Sequence, residues 1–191
     1  MSPKHSSPPL LPLLDLSRRY CEPHRRYHNI EHPAHMLFVA RQLALTDEQI
    51  AAVWFHDAIY DPSRKDNEER SAALAVEQLT MLGWPEHSVR SVEAIVLDTK
   101  RHTPTTDASR AVIDLDLEPL SETWDVFQRN ALHVRVEYRG IDDETFHHGR
   151  RRFLEEMLGR ERLYWTTWGA RYELPARRNL QRALRELLET T

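Results

Sequence analysis

Two short stretches of the chain gather the side chains with chemistry to offer. The first is Tyr27-His28-Asn29-Ile30-Glu31-His32-Pro33-Ala34-His35, in which His28, His32 and His35 are spaced by four and then three. On a helix that spacing puts all of them on one face. The second is Trp54-Phe55-His56-Asp57, where a vicinal His-Asp closes a strongly apolar run. An apolar helix that abruptly carries an imidazole and a carboxylate is burying two polar groups. Without partners, such burial costs about 2–7 kcal/mol for a neutral group and more for a charge. A divalent cation compensates both at once, because it takes neutral imidazole and ionised carboxylate together. Spacing alone leaves a second reading open, in which these are core polar residues satisfied by ordinary hydrogen bonds.

Positioning these groups falls to helices. Glycine is scarce, with five in all, and alternating β-branched runs are few, whereas helical periodicity recurs along the chain. Helices are expected over Leu10–Cys21, His32–Leu45, Asp47–Ile59, Asn67–Leu82, Pro85–Asp98, Ala108–Leu117, Glu122–Tyr138, Asp143–Leu158 and Glu173–Leu188. Pro33 fits the second only within its first turn, where a missing N–H is harmless. Thr46-Asp47-Glu48-Gln49 is a capping-box signature for the third, whose centre, Ile50–Phe55, is apolar nearly all round and so should be buried. Gly83 is placed to close the fourth. The fold class expected is all-α, a helical bundle in a single domain over residues 10–191, preceded by a Ser- and Pro-rich tail at 1–9 expected to be disordered.

Bulk properties narrow the function. No apolar run is long enough to cross a bilayer, and the first residues lack the layout of a signal peptide, so a soluble cytoplasmic protein is expected. The single cysteine, Cys21, forms no internal disulfide, which fits a reducing compartment. A net charge of −4 gives no basic field for bulk nucleic acid, but leaves room for a small anionic substrate met by local arginines.

The order Tyr27-His28-Asn29-x-x-His32, then Phe55-His56-Asp57, then Asp116-Leu117 resembles the pattern of the HD superfamily of metal-dependent phosphohydrolases. Tyr-His-Asn-x-x-His is similar to the motif of its cyclic-nucleotide phosphodiesterases. A small bacterial group of uncharacterised HD phosphohydrolases is similar over most of the chain, roughly Tyr20 to Leu188. That likeness takes in Asn67-Glu68-x-x-Ser71-Ala72, Thr99-x-x-His102, Asp114-x-Asp116-Leu117, Arg135-x-Glu137-Tyr138 and Gly149-Arg150.

The resemblance implies an HD-type bundle and a metal held by His32, His56, Asp57 and Asp116. Asp114 competes for the last place, but residues two apart on a helix face different ways, so only one of them can reach the metal. Mixed nitrogen and oxygen ligation favours Mn, Fe, Co, Ni or Zn over Mg or Ca. His28 matches the phosphodiesterase histidine that protonates the leaving group. Arg25 is a candidate for holding a substrate phosphate, His102 for lining the pocket and Glu68 for orienting water or accepting a proton. Most of Arg135, Glu137, Tyr138 and Arg150 read as bracing between helices, the run Arg150–Arg152 reads by default as a solvated helix face, and His35 is a spare, either a polar residue on the helix surface or one standing behind the ligands. The expected function is hydrolysis of a phosphate ester, nucleotide or other small phosphorylated metabolite. The alternatives are a catalytically silent nucleotide- or metal-binding module and a di-iron oxygenase on the same scaffold.

Overall fold

A computed structural model describes residues 11–189, and all of its regular structure there is helical. The helices are α1 (Leu13–Tyr20), α2 (Glu31–Val39), α3 (Asp47–Phe55), α4 (Asn67–Met81), α5 (Glu86–Thr99), α6 (Asp107–Leu117), α7 (Trp124–Glu137), α8 (Asp143–Gly159) and α9 (Glu173–Glu189). The segment 1–9, expected to be a disordered tail, lies outside the described residues. None of the described helices is long and apolar enough to cross a membrane.

Local chemistry explains where several helices begin and end. Thr46 and Gln49 close a reciprocal capping box at the start of α3, satisfying two N–H groups that the helix cannot satisfy itself. Gly83, at φ +77°, lets the chain leave α4 in the left-handed region, while the Trp84 N–H donates to the Leu79 carbonyl. Pro33 falls in the first turn of α2, as its ring requires.

Two helices, α2 and α3, stop several residues short of their expected ends, and both differences matter for the site. α2 gives way to a tight 3₁₀ turn over Ala40–Gln42. α3 ends at Phe55 rather than continuing to Ile59, with His56 as its C-cap. Beyond it, the Asp57 and Ala58 carbonyls accept hydrogen bonds from Arg25 at 2.7 and 3.1 Å, and the Ile59 N–H donates to Ser71 Oγ. These distant partners replace the helical ladder and turn Asp57 out of the α3 axis.

Two apolar clusters share α6. Leu115 and Val112 join Phe55, Val92, Ile95 and Leu79 in a core built on α3, α4 and α5. Ile113 and Leu117 face the other way, onto Leu154, Met157 and Leu180 of α8 and α9. The helix at the junction of both cores is therefore held from two sides, and it carries Asp114 and Asp116.

Candidate metal centre

His32 comes from the first turn of α2, His56 from the end of α3, Asp57 from the turn after it and Asp116 from the last turn of α6. Their side chains meet. The two imidazole Nε2 atoms are 3.1 Å apart. His32 Nε2 lies 3.1 Å from Asp116 Oδ1 and 3.9 Å from Asp57 Oδ2. His56 Nε2 lies 3.1 Å from Asp57 Oδ2 and 3.8 Å from Asp116 Oδ1. Both histidines are buried.

The donor set fits a divalent cation on its own chemistry. His56 Nδ1 is 2.9 Å from the Val53 carbonyl, which can only accept, so Nδ1 carries a proton and Nε2 is left facing the cluster. Two facing nitrogens can share at most one proton comfortably, and two carboxylates converge on the same point. Separations of about 3–4 Å between donors are what atoms at about 2.1 Å from a common centre show. His32, His56 and Asp57 alone offer three ligand atoms within 4.8 Å of one another.

Charge in the cluster is strongly polarised. Burial disfavours ionised carboxylates, yet His56 and its neighbours hold Asp57 below its ordinary range, and His102 and His32 hold Asp116 far below. Burial drives the His32 pKa down. Against the same burial, Asp57 and Asp116 lift His56 to about 9.

Asp114 and Asp116 divide their labour. Asp114 accepts from the Trp165 N–H at 2.7 Å, the Thr166 N–H at 2.8 Å and the Thr166 hydroxyl at 2.5 Å. It pins the segment before α9 on the far side of α6. Asp116 alone of the two joins the histidines, as the two-residue offset requires.

His28 stands beside the cluster with its Nδ1 2.7 Å from Glu137 Oε2. Glu137, at the end of α7, also accepts the backbone N–H groups of Arg26, Tyr27 and His28 through Oε1 at 2.6, 2.7 and 2.9 Å, and the Tyr60 hydroxyl through Oε2. Burial opposes the imidazolium, but Glu137 and Asp57 outweigh it and raise the His28 pKa. Glu137 itself is held down at about 2. The brace expected of Glu137 is present. Its role is to clamp the whole Arg26–His28 turn and aim the His28 ring, and its only early signal was the Arg-x-Glu-Tyr match.

The other expected site residues fall into different places. His102, in the left-handed region at φ +47°, brings its Nε2 to 3.2 Å from Asp116 Oδ2. Glu68 is half-buried, with burial raising its pKa, Asp57 close enough to add to that, and Lys100 at 3.9 Å. Arg25 does not fit the substrate contact expected of it. Its guanidinium is buried and donates to Glu22 and to the carbonyls of His28, Asp57 and Ala58, so it positions the two motifs relative to each other. His35 stays outside the four-residue cluster, as expected, and its Nε2 lies 2.8 Å from Glu118 Oε2.

A cavity of about 560 Å³ meets this cluster at Asp116. His28, His102 and Asp116 stand in its wall, with Leu117, Val134 and Phe146 among its apolar lining and Arg150 beside them. No protein-family model, curated protein or solved structure matches the chain.

Proposed function

We propose that the protein is a metal-dependent phosphohydrolase of the HD type, acting on a phosphate ester of a small metabolite in the cavity beside the metal centre. The observation that carries this reading is the convergence of His32 Nε2, His56 Nε2, Asp57 Oδ2 and Asp116 Oδ1 from three separate parts of the chain. Such a site supports a cation of the Mn, Fe, Co, Ni or Zn group. When bound, that cation polarises a phosphoryl oxygen and acidifies water.

The chain's own residues supply the rest. His28, protonated through its pairing with Glu137, faces the cavity as the general acid for the leaving oxygen. Glu137 fixes its tautomer, because a carboxylate at Nδ1 leaves Nε2 to act. His102 holds Asp116 in orientation. Glu68, with its raised pKa and its place near Asp57, is the candidate to take up a proton from water. The apolar wall excludes bulk water from the organic part of the substrate.

The direct test is release of inorganic phosphate from a panel of phosphomonoesters, phosphodiesters and nucleotides by protein supplied with each metal in turn. Turnover that His28→Ala lowers by about 100-fold or more supports the assignment. Oxygen uptake without phosphate release would instead favour an iron oxygenase.

A further inference from the structure

A guanidinium partly withdrawn from water with no protein acceptor is under-satisfied, and the other half-buried or buried arginines with a large share of their fork covered find acceptors. Arg25 reaches three carbonyls and Glu22. Arg135 reaches Asp143 and the Tyr138 and Ile141 carbonyls. Arg177 reaches Glu173 and the Leu158 and Arg160 carbonyls. Arg150 is different.

It projects from α8 into the wall of the cavity that Asp116 and His28 also line. Its guanidinium carbon lies 5.3 Å from the centroid of the Phe153 ring and 5.9 Å from that of Phe127. These rings offset part of its desolvation, but neither accepts its N–H groups in the plane of the fork. Among the described residues Arg150 makes no hydrogen bond or ion pair, and burial pushes its pKa down. In the sequence the run Arg150–Arg152 reads by default as a solvated helix face, whereas Arg150 stands in the wall of the cavity.

We propose that Arg150 is the specificity residue of the cavity, pairing with a second oxyanion, carboxylate or phosphate, on a ligand whose apolar body spans the wall between it and the Asp116 end. The inference rests on the phosphohydrolase reading only for what happens at the reacting end. A guanidinium fork matches either oxyanion through two parallel hydrogen bonds. A volume of about 560 Å³ lies within the range that holds small organic ligands. A phosphate ester without the second anion leaves Arg150 unpaired, and so binds at a disadvantage to one that has it.

The test measures affinity by calorimetry on the full chain with Mn²⁺ present. The probes are ω-phosphonocarboxylates and α,ω-bisphosphonates of graded chain length, each beside the alkylphosphonate of equal length. At least one length should outbind its alkyl twin by about tenfold or more, and the series that does so tells a carboxylate from a phosphate. That preference should vanish in Arg150→Met, which keeps the apolar stem against the rings, and survive in part in Arg150→Lys. Because the guanidinium has no hydrogen-bond acceptor or counter-ion to lose and Met keeps contact with the rings, the melting temperature of Arg150→Met should hold or rise, which a bracing arginine would not allow. A preference absent at every length, or undiminished in Arg150→Met, overturns the proposal, as does a fall in melting temperature with the preference intact. Phosphate release is scored separately. Turnover without the preference overturns the Arg150 subsite alone, and the preference without turnover overturns the hydrolase reading alone.

Discussion

Glu137 Oε2 lies 2.7 Å from His28 Nδ1, while the other oxygen of the same carboxylate receives three consecutive backbone N–H groups from Arg26 to His28. One side chain from the end of α7 therefore sets both the fold of the turn that leads into α2 and the protonation of the imidazole at the cavity.

This pairing has a signature in pH. His28 acts as an acid only while protonated, and its pKa is raised, so kcat should fall as pH rises through that value. In Glu137→Gln the carboxylate's share of the support for the imidazolium is gone, and the alkaline fall should move to lower pH while kcat drops about 10- to 100-fold. A pH–rate profile of both proteins checks this. An unmoved alkaline limb would mean that His28 is not the group being titrated.

The same carboxylate links stability to acid. Its folded pKa of about 2 lies below the ordinary 4.5, so its contribution is present above about 4.5 and is lost as pH falls towards 2. Urea unfolding at graded pH should show the parent losing stability across that window, and Glu137→Gln losing less. Parallel curves would contradict the clamp.

Asp114 and Asp116 should separate cleanly by substitution. Asp114→Asn disturbs three hydrogen bonds to Trp165 and Thr166, and should cost about 1–3 kcal/mol of stability while sparing metal affinity. Asp116→Asn should do the reverse. Gly169→Ala is a companion test of the first claim, since a Cβ there would collide with the Asp114 carboxylate. It should destabilise by a similar amount. Chemical unfolding and metal titration of the three variants decide between the roles.

Arg25 should behave as a structural residue. Arg25→Lys cannot reach Glu22 and three carbonyls from a single ammonium. A lower melting temperature is expected, with substrate affinity in the surviving folded protein changed little. A selective rise in KM with unchanged stability would restore Arg25 as a substrate contact.

How far the sequence could be read follows from the range of each interaction. Helices α3 and α4 announce themselves through local devices, the Thr46–Gln49 box and Gly83, and a neighbouring pattern of apolar residues. His56 and Asp57 stand out because an imidazole and a carboxylate closing an apolar run need compensation, whereas His32 and Asp116 are singled out as ligands only by the resemblance to the HD pattern. The end of α3 at Phe55 was not legible. It depends on Arg25, which lies 32 residues from the Asp57 carbonyl it binds. Glu137 reads as a brace, which it is, but what it braces was not legible for the same reason, since His28 stands 109 residues away. Arg150 was the least legible of all, because what distinguishes it is a missing partner, and no local pattern records an absence.

The central claim is the metal, and elemental analysis of purified protein tests it most directly, with Asp57→Ala prepared identically and no metal added. The account predicts about one or two equivalents of Mn, Fe, Co, Ni or Zn in the parent and a loss of that metal in the variant, whose helices should remain folded by circular dichroism. No metal in the parent even after reconstitution with Mn²⁺ or Zn²⁺, or equal metal in both proteins, would contradict it.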